Sequence, residues 1–108
     1  MITADFTRTE GGYRLRIQGH ATESEPCASL VCAAASGIFY ALCGYLVNRK
    51  KEGLSIRSMA AGDGDVVCAS AGEEAMRFAC IGLLQLALTY PAHLAVINRA
   101  FDWEENPK

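Results

Sequence analysis

Two short stretches near the start of the chain alternate apolar and polar residues. Residues 2–7 (ITADFT) and 13–17 (YRLRI) both repeat with the two-residue period of a strand that buries one face. The glycines of EGG at 10–12 separate the two stretches and predict a turn. We therefore expect a β-hairpin, with Arg14 and Arg16 on the solvated face of its second strand.

A longer stretch after this hairpin has the spacing of a helix. From Ser29 to about Glu52, apolar residues recur every three or four positions. Ser29 is a residue type that favours the N-cap position, and Gly53 could end the helix after the cations of its last turn, residues 49–51. Residues 72–90 predict a second helix, which begins with two glutamates and stops before a proline.

Two further strands are predicted between these helices. LSIRSM at 54–59 and VVCAS at 66–70 flank a stretch in which Asp63-Gly64 is the signal of a type I′ hairpin turn. Residues 93–97 (HLAVI) favour a short C-terminal strand at a sheet edge. The order ββαββα predicts an α+β fold, a two-layer α/β sandwich whose mostly antiparallel sheet carries both helices on one face.

Size, composition and charge narrow the classes of function. The chain has 108 residues, 51% hydrophobic and 20% charged, as expected of one globular domain over residues 1–108 with a frayed tail at 102–108. Its net charge of -2 disfavours nucleic acid and anionic membranes as direct partners. The first ten residues lack the apolar segment of a signal peptide, and the apolar stretch 75–90 is shorter than the roughly 20 residues of a membrane span. We therefore expect a cytoplasmic protein.

The first predicted helix carries more apolar surface than packing on one sheet requires. Its polar positions from Leu30 to Val47 are few, whereas a helix on a sheet needs only one apolar stripe. Small residues at Ala33, Ala34 and Gly37 would let another backbone approach closely. We therefore expect a homodimer that forms through this helix. The alternative is that the second helix alone covers the extra apolar surface.

The five cysteines follow neither a disulfide nor a zinc pattern. Their number is odd and no CxxC pair occurs. The cysteines that lie among apolar neighbours, and that we expect to be buried, are Cys43, Cys68 and Cys80. A metal site formed by His20, Cys27 and Cys32 would lack a fourth ligand, because His93 lies far along the chain and is expected to be exposed. We predict no metal and no cofactor.

His20 and Cys32 occupy positions where a thiol nucleophile and its base could meet. His20 ends the second strand, and Cys32 is the third helical residue if Ser29 is the N-cap. The unpaired amides and the dipole of a first helical turn favour a thiolate over a thiol. An adjacent imidazole could accept the thiol proton and later protonate a leaving amine. Each residue also has an ordinary interpretation, as a core cysteine and as a solvated histidine.

Two short motifs around these residues resemble the signature of a known family. GHA at 19–21 followed by VCAAAS at 31–36 is similar to the ribosomal-processing cysteine protease (Prp) family. The resemblance extends over about residues 2–97. It implies a homodimeric α/β cysteine endopeptidase that removes an N-terminal extension from a large-subunit ribosomal protein, so that the substrate partner is the N-terminal segment of that protein.

The resemblance also implies roles for individual residues. His20 would be the general base and Cys32 the nucleophile, while Ser36 matches the family's serine one helical turn further on. Gly19 would be the hinge of a flexible loop, residues 20–28, that covers the cleft. The loop residues expected to face substrate are Ala21, Thr22, Glu23, Ser24, Glu25, Pro26 and Cys27.

The chain departs from the family pattern at Ser29, where the family usually has an aspartate three residues before the cysteine. A serine can cap a helix but brings no negative charge, and Glu23 or Glu25 would be the substitutes that the loop offers. The extra thiol, Cys27, is near enough in sequence for a reversible disulfide with Cys32. The alternative to a protease is therefore an inactive binding module of the same fold that contacts a ribosomal protein or the ribosome without cleavage.

Overall fold

The computed structural model describes residues 1–21, 26–49, 55–60 and 62–102, and their elements follow the predicted order. The strands are β1 (Ile2–Thr9), β2 (Gly12–Gln18), β3 (Ser55–Ala60), β4 (Asp63–Ala69) and β5 (Leu94–Arg99). The helices are α1 (Ala28–Asn48) and α2 (Glu73–Thr89), and a 3-10 turn at Ser70–Gly72 precedes α2.

The strands of the described residues form one sheet in the order β3-β4-β2-β1-β5. β1 pairs antiparallel with β2, and β4 pairs antiparallel with both β2 and β3. β5 lies at the edge and runs parallel to β1, because the α2 crossover brings the chain back to the same end of the sheet. The prediction of an α+β fold with a mostly antiparallel sheet and a C-terminal edge strand is therefore confirmed.

One face of the sheet packs against both helices, and alternation along the strands sorts the side chains between the two faces. Fully buried side chains between the layers include those of Phe6, Leu15, Val31, Leu46, Val66, Met76 and Leu83. Each contributes roughly 1.5–3 kcal/mol when it leaves water. On the opposite face Arg14, expected to be solvated, is instead half-buried and donates two hydrogen bonds to Asp65, at 2.9 and 2.6 Å.

α1 begins before Ser29, so the prediction of Ser29 as N-cap is wrong. The N-cap residue is Cys27, whose backbone is left-handed with φ 69°. The Val31 N–H donates to the Cys27 carbonyl at 3.0 Å, which closes the first turn two residues earlier than expected. α1 ends at Asn48 with Arg49 as the C-cap, and the predicted helix end at residues 50–53 lies outside the described residues.

The hairpin between β3 and β4 turns earlier than Asp63-Gly64, and that prediction is also wrong. Asp63 and Gly64 both pair with residues of β3 and belong to β4. The left-handed position is Gly62, with φ +76°, a conformation that glycine adopts at little cost. Gly64 serves packing instead, because a Cβ there would lie 2.8 Å from the ring of Phe39.

α1 is long and apolar enough to cross a membrane, judged by length and composition alone, with a hydropathy of 2.0 over its 18-residue window. Residues 75–90 were the apolar stretch considered as a membrane span from the sequence, whereas α1 is the helix that meets the length and hydropathy criteria. A third of the window is buried inside the domain, against the sheet and α2. The core helix of a soluble domain meets the same criterion.

Candidate active site

A cleft of about 170 Å³ opens where the end of β2, the first half of α1 and the β3–β4 hairpin meet. Both residues of the predicted catalytic pair, His20 and Cys32, line it, together with Ser36 and Asp63. The apolar part of the lining consists mainly of Ile2, Ile17, Phe39, Tyr40 and Met59. The fold therefore brings the two motifs noted in the sequence to one concave surface.

The backbone on either side of His20 is held by its neighbours. Gly19 has φ +96°, and its N–H donates to the Gly62 carbonyl at 3.0 Å. The nitrogen of Met1 donates to the His20 carbonyl at 2.8 Å. No side chain fits at Gly19, because a Cβ there would overlap the Met1 carbonyl oxygen. These contacts set the point at which the chain leaves β2 and therefore where the imidazole begins.

The ring of His20 lies against Gly62. A Cβ on Gly62 would lie 2.6 Å from Cε1 of the ring and still closer to Nε2. Gly62 therefore meets two requirements, a left-handed turn and room for the imidazole. The ring is exposed, and among the described residues no hydrogen bond joins it to the sulfur of Cys32. The pair therefore shares a cleft without a hydrogen bond between its two members.

Cys32 is partly exposed on the face of α1 that borders the cleft, and Ser36 follows one turn later on the same face. Because α1 begins at Ala28, Cys32 is the fifth helical residue rather than the third. The unpaired amides and the dipole act mainly within the first turn, so they favour a thiolate here less than the sequence suggested. If the predicted pair acts as a nucleophile and its base, activation of the thiol would then depend more on His20.

The predicted cover loop is described only at its two ends. Thr22, Glu23, Ser24 and Glu25 lie outside the described residues. Ala21 is 3% exposed and packs in the core, whereas Pro26 and Cys27 are exposed. Ser29 is exposed in the first turn of α1 and does not line the cleft. The substrate-facing role of the loop stays a prediction.

His93 was expected to be exposed, and this expectation is wrong. It is 5% exposed, and its Nε2 donates to the Pro26 carbonyl at 2.8 Å. Its own carbonyl accepts the Ile2 N–H at 2.8 Å. His93 thus links the segment just before α1 to the turn between α2 and β5 through a hydrogen bond. Nothing in the local pattern marks this role, because the partner is 67 residues away.

Asp63 is a cleft residue that was not predicted as a site residue from the sequence. It opens β4 directly after Gly62, and its Oδ1 is buried without a hydrogen-bond partner among the described residues. The acidic residue was visible in the sequence, but Asp63-Gly64 was interpreted as a turn signal. The carboxylate of Asp63 is therefore adjacent in sequence to Gly62, the glycine that the His20 ring contacts.

The thiols fall into two groups by burial. Burial raises the pKa of Cys43 and of Cys80 to about 11. Burial also raises the pKa of Cys68, and all three are buried as expected. Cys27 is exposed and Cys32 is partly exposed. Within the described part of the chain, no three metal-ligating side chains are grouped.

Comparison with known proteins gives one family and several similar folds. A family model described as "Cysteine protease Prp" matches residues 1–95. The fold is similar to that of the essential ribosomal processing protease Prp from S. aureus in complex with a substrate peptide, at a TM-score of 0.75 and 20% identity, over 89% of this chain and 97% of that one. The same S. aureus protease with a covalently linked product peptide gives a TM-score of 0.76 at 19% identity, over 90% and 98%.

A third solved structure, SMU.848 from Streptococcus mutans, gives a TM-score of 0.72 at 22% identity, over 94% of this chain and 96% of that one. No curated protein sequence matches the chain. At these identities the likenesses establish the shared fold, which covers nearly the whole chain.

Proposed function

Because the chain belongs to the cysteine protease Prp family, we propose that it is an endopeptidase that removes an N-terminal extension from a large-subunit ribosomal protein. One observation supports the proposal most directly. His20 and Cys32 lie in the two motifs that resemble the family signature, and both line the same cleft. The S. aureus protease of similar fold binds a substrate peptide, which supports a peptide as the ligand of this cleft. A ribosomal protein as the substrate implies that the protein acts in the cytoplasm.

In the proposed reaction His20 accepts the proton of the Cys32 thiol, and the thiolate attacks the scissile carbonyl carbon. The C–N bond then breaks, the imidazolium gives its proton to the leaving amine, and the acyl group remains on Cys32 as a thioester. Water, deprotonated by His20, hydrolyses the thioester and restores the thiol. The exposed His20 ring is free to turn towards the sulfur when substrate closes the site. Ser36 and Gly19 support the site without taking part in bond making.

The substrate assignment is tested by mass spectrometry of ribosomal proteins from cells that carry either the wild-type chain or Cys32→Ala. We expect a precursor with an N-terminal extension to accumulate in the Cys32→Ala cells, because the variant lacks the nucleophile. Cys43→Ala is the matched control, since this thiol lies on the same helix but outside the cleft. Identical ribosomal proteins in all three strains would remove the substrate assignment.

A binding module without protease activity is the second candidate, and Ser29 in place of the family aspartate favours it. Alkylation by iodoacetamide separates the two candidates. In a protease, Cys32 should react about tenfold faster than Cys27 at pH 6.5, because the imidazole promotes its ionisation. His20→Ala should abolish that difference. Equal and slow labelling of both thiols, with or without His20, would favour the binding module.

We also propose that the chain forms a homodimer through its helical layer, with α1 contributing most of the contact. Apolar side chains that remain exposed on the two helices are Leu30, Tyr40, Tyr45, Val47, Phe78, Ile81 and Leu88. An apolar groove of about 640 Å³ runs between the helices, next to Phe78, which is 77% exposed. A second copy would supply the same apolar face, as a two-fold dimer requires.

Sedimentation velocity tests the dimer. Phe78→Lys should convert the protein to a monomer, because it introduces a charge in the lining of the apolar groove. Ile97→Lys is the matched control, since Ile97 is also exposed but lies on β5, away from the helices. A wild-type protein that sediments as a monomer at tens of micromolar would contradict the proposal.

A further inference from the structure

A carboxylate oxygen of Asp63 is buried in the cleft without a hydrogen-bond partner among the described residues. Burying such an oxygen without a partner lowers stability, so each unpartnered group of this kind needs an explanation, and a catalytic role is one of them. We propose that Asp63 is a positioning residue whose Oδ1 accepts the Nε2 proton of His20 during catalysis. The inference rests on the proposed protease function and adds a third member to the Cys32–His20 pair.

The orientation of the imidazole supports this assignment. The ring atoms nearest to Gly62 are Nε2 and Cε1, so the Nε2 edge faces the start of β4, and Asp63 is the next residue. Asp63 pairs with Gln18, two residues before His20. The Gly19 N–H donates to the Gly62 carbonyl at 3.0 Å, which joins the two strand ends directly. The acid and the histidine therefore leave the sheet from adjacent, mutually fixed positions.

Among the described residues, no ion pair to another group competes with His20 for Asp63. Each ion pair of the described residues joins an arginine to an acid other than Asp63, namely Asp5, Asp65 or Glu73. Ser29 does not line the cleft, so it offers no alternative acceptor for the ring. Among the described residues, Asp63 is then the acid that lines the same cleft as His20 and has a buried oxygen without a partner.

The arrangement assigns a different task to each ring nitrogen. With Nε2–H held by Asp63, the lone pair of Nδ1 is left to accept the proton of the Cys32 thiol. The carboxylate stabilises the imidazolium that forms as the thiolate attacks, and the proton then passes from Nδ1 to the leaving amine. Asp63 keeps its charge throughout and forms no bond with substrate.

The test uses iodoacetamide as the probe and the rate of Cys32 alkylation at pH 6.5 as the readout. Asp63→Asn preserves the shape of the side chain and removes its charge, so we expect the rate to fall about tenfold. Asp63→Glu restores the charge and should recover most of the rate. Asp102→Asn removes one charge from an exposed residue outside the cleft and should leave the rate unchanged.

A stability measurement separates positioning from a structural role. Asp63→Asn removes the charge of a half-buried carboxylate whose Oδ1 has no partner among the described residues, so its thermal unfolding midpoint should equal or exceed that of the wild type. A slower rate with an unchanged or higher midpoint supports the proposal. A slower rate with a clearly lower midpoint overturns it in favour of a structural role.

His20→Ala distinguishes failure of this inference from failure of the proposed function. If His20→Ala slows alkylation of Cys32 and Asp63→Asn does not, the role of Asp63 is wrong and the cysteine–histidine pair stands. If His20→Ala has no effect on the rate, the pair itself is wrong and the role of Asp63 falls with it.

Discussion

Replacing Gly62 with alanine should have separate effects on the stability of the β3–β4 turn and on the position of His20, the proposed general base. Gly62 has φ +76°, and a Cβ there would lie 2.6 Å from Cε1 of His20. The new methyl group cannot coexist with the ring in its present position. Because the His20 side chain is exposed, the ring can swing away rather than strain the fold.

The two effects have different magnitudes. A left-handed conformation costs a non-glycine residue about 1–2 kcal/mol, which for a domain of this size lowers the unfolding midpoint by roughly 5–10 °C. Displacing the ring adds little to that loss. For the reaction, however, loss of a positioned general base typically slows catalysis about 100-fold or more. The variant should therefore fold and be nearly inactive.

The assays are thermal unfolding, alkylation of Cys32 at pH 6.5 and processing of the ribosomal precursor in cells. Gly62→Asn refines the test, because asparagine tolerates the left-handed region better than alanine but carries the same Cβ. It should destabilise less and lose as much activity. Gly11→Ala is the control, since a Cβ at Gly11 meets no atom within 4 Å. Wild-type alkylation by a destabilised Gly62→Ala protein would refute the reasoning.

Three further predictions concern the scaffold. His93→Ala should lower the free energy of unfolding by about 2–4 kcal/mol, because it leaves a cavity and an unpaired Pro26 carbonyl, whereas His93→Gln should lose less in the same denaturant titration. Hydrogen bonds from Arg14 lower the pKa of Asp65, so its stabilisation is present above about pH 4 and is lost as the pH falls through that lowered pKa. In Asp65→Asn the unfolding midpoint should therefore fall less steeply as the pH drops below about 4. If the midpoint falls as steeply as in the wild type, other acids cause the loss of stability. Iodoacetamide on the folded protein at pH 7.5 should spare the thiols that burial protects, and peptide mapping that finds them labelled before unfolding would contradict their burial. Those thiols are Cys43, Cys68 and Cys80.

Elements with a strong local period could be predicted from the sequence. Alternation over residues 2–7 and 13–17 identified the hairpin of β1 and β2, the three- and four-residue spacing identified α1, and two glutamates and a proline marked the ends of α2. These patterns are local because each side chain in them is sorted by one neighbouring layer. The edge strand β5 was also predicted from its apolar residues, although its parallel pairing with β1 depends on the crossover.

The predictions that failed depend on contacts between distant parts of the chain. The start of α1 at Ala28 is set by Cys27, which follows a carbonyl held by His93. Local propensity favoured Ser29 as the N-cap. The contact with His93 joins residues far apart in the chain, so the local sequence does not indicate it. In AGDGD, only packing against Phe39 tells which glycine lies in the strand. The same ambiguity concealed Asp63, the acid of the proposed site.

The early start of α1 also determines how the negative charge of a tetrahedral intermediate can be held. The amides without helical acceptors are those of residues 28–30, whereas the amide of Cys32 already donates within the helix. An oxyanion formed by attack of Cys32 therefore lies beyond the donors that a first-turn nucleophile would use. In the proposed reaction, stabilisation of this oxyanion is then left to groups across the cleft and to the Ser36 hydroxyl one turn further along α1, rather than to the amides of the first helical turn.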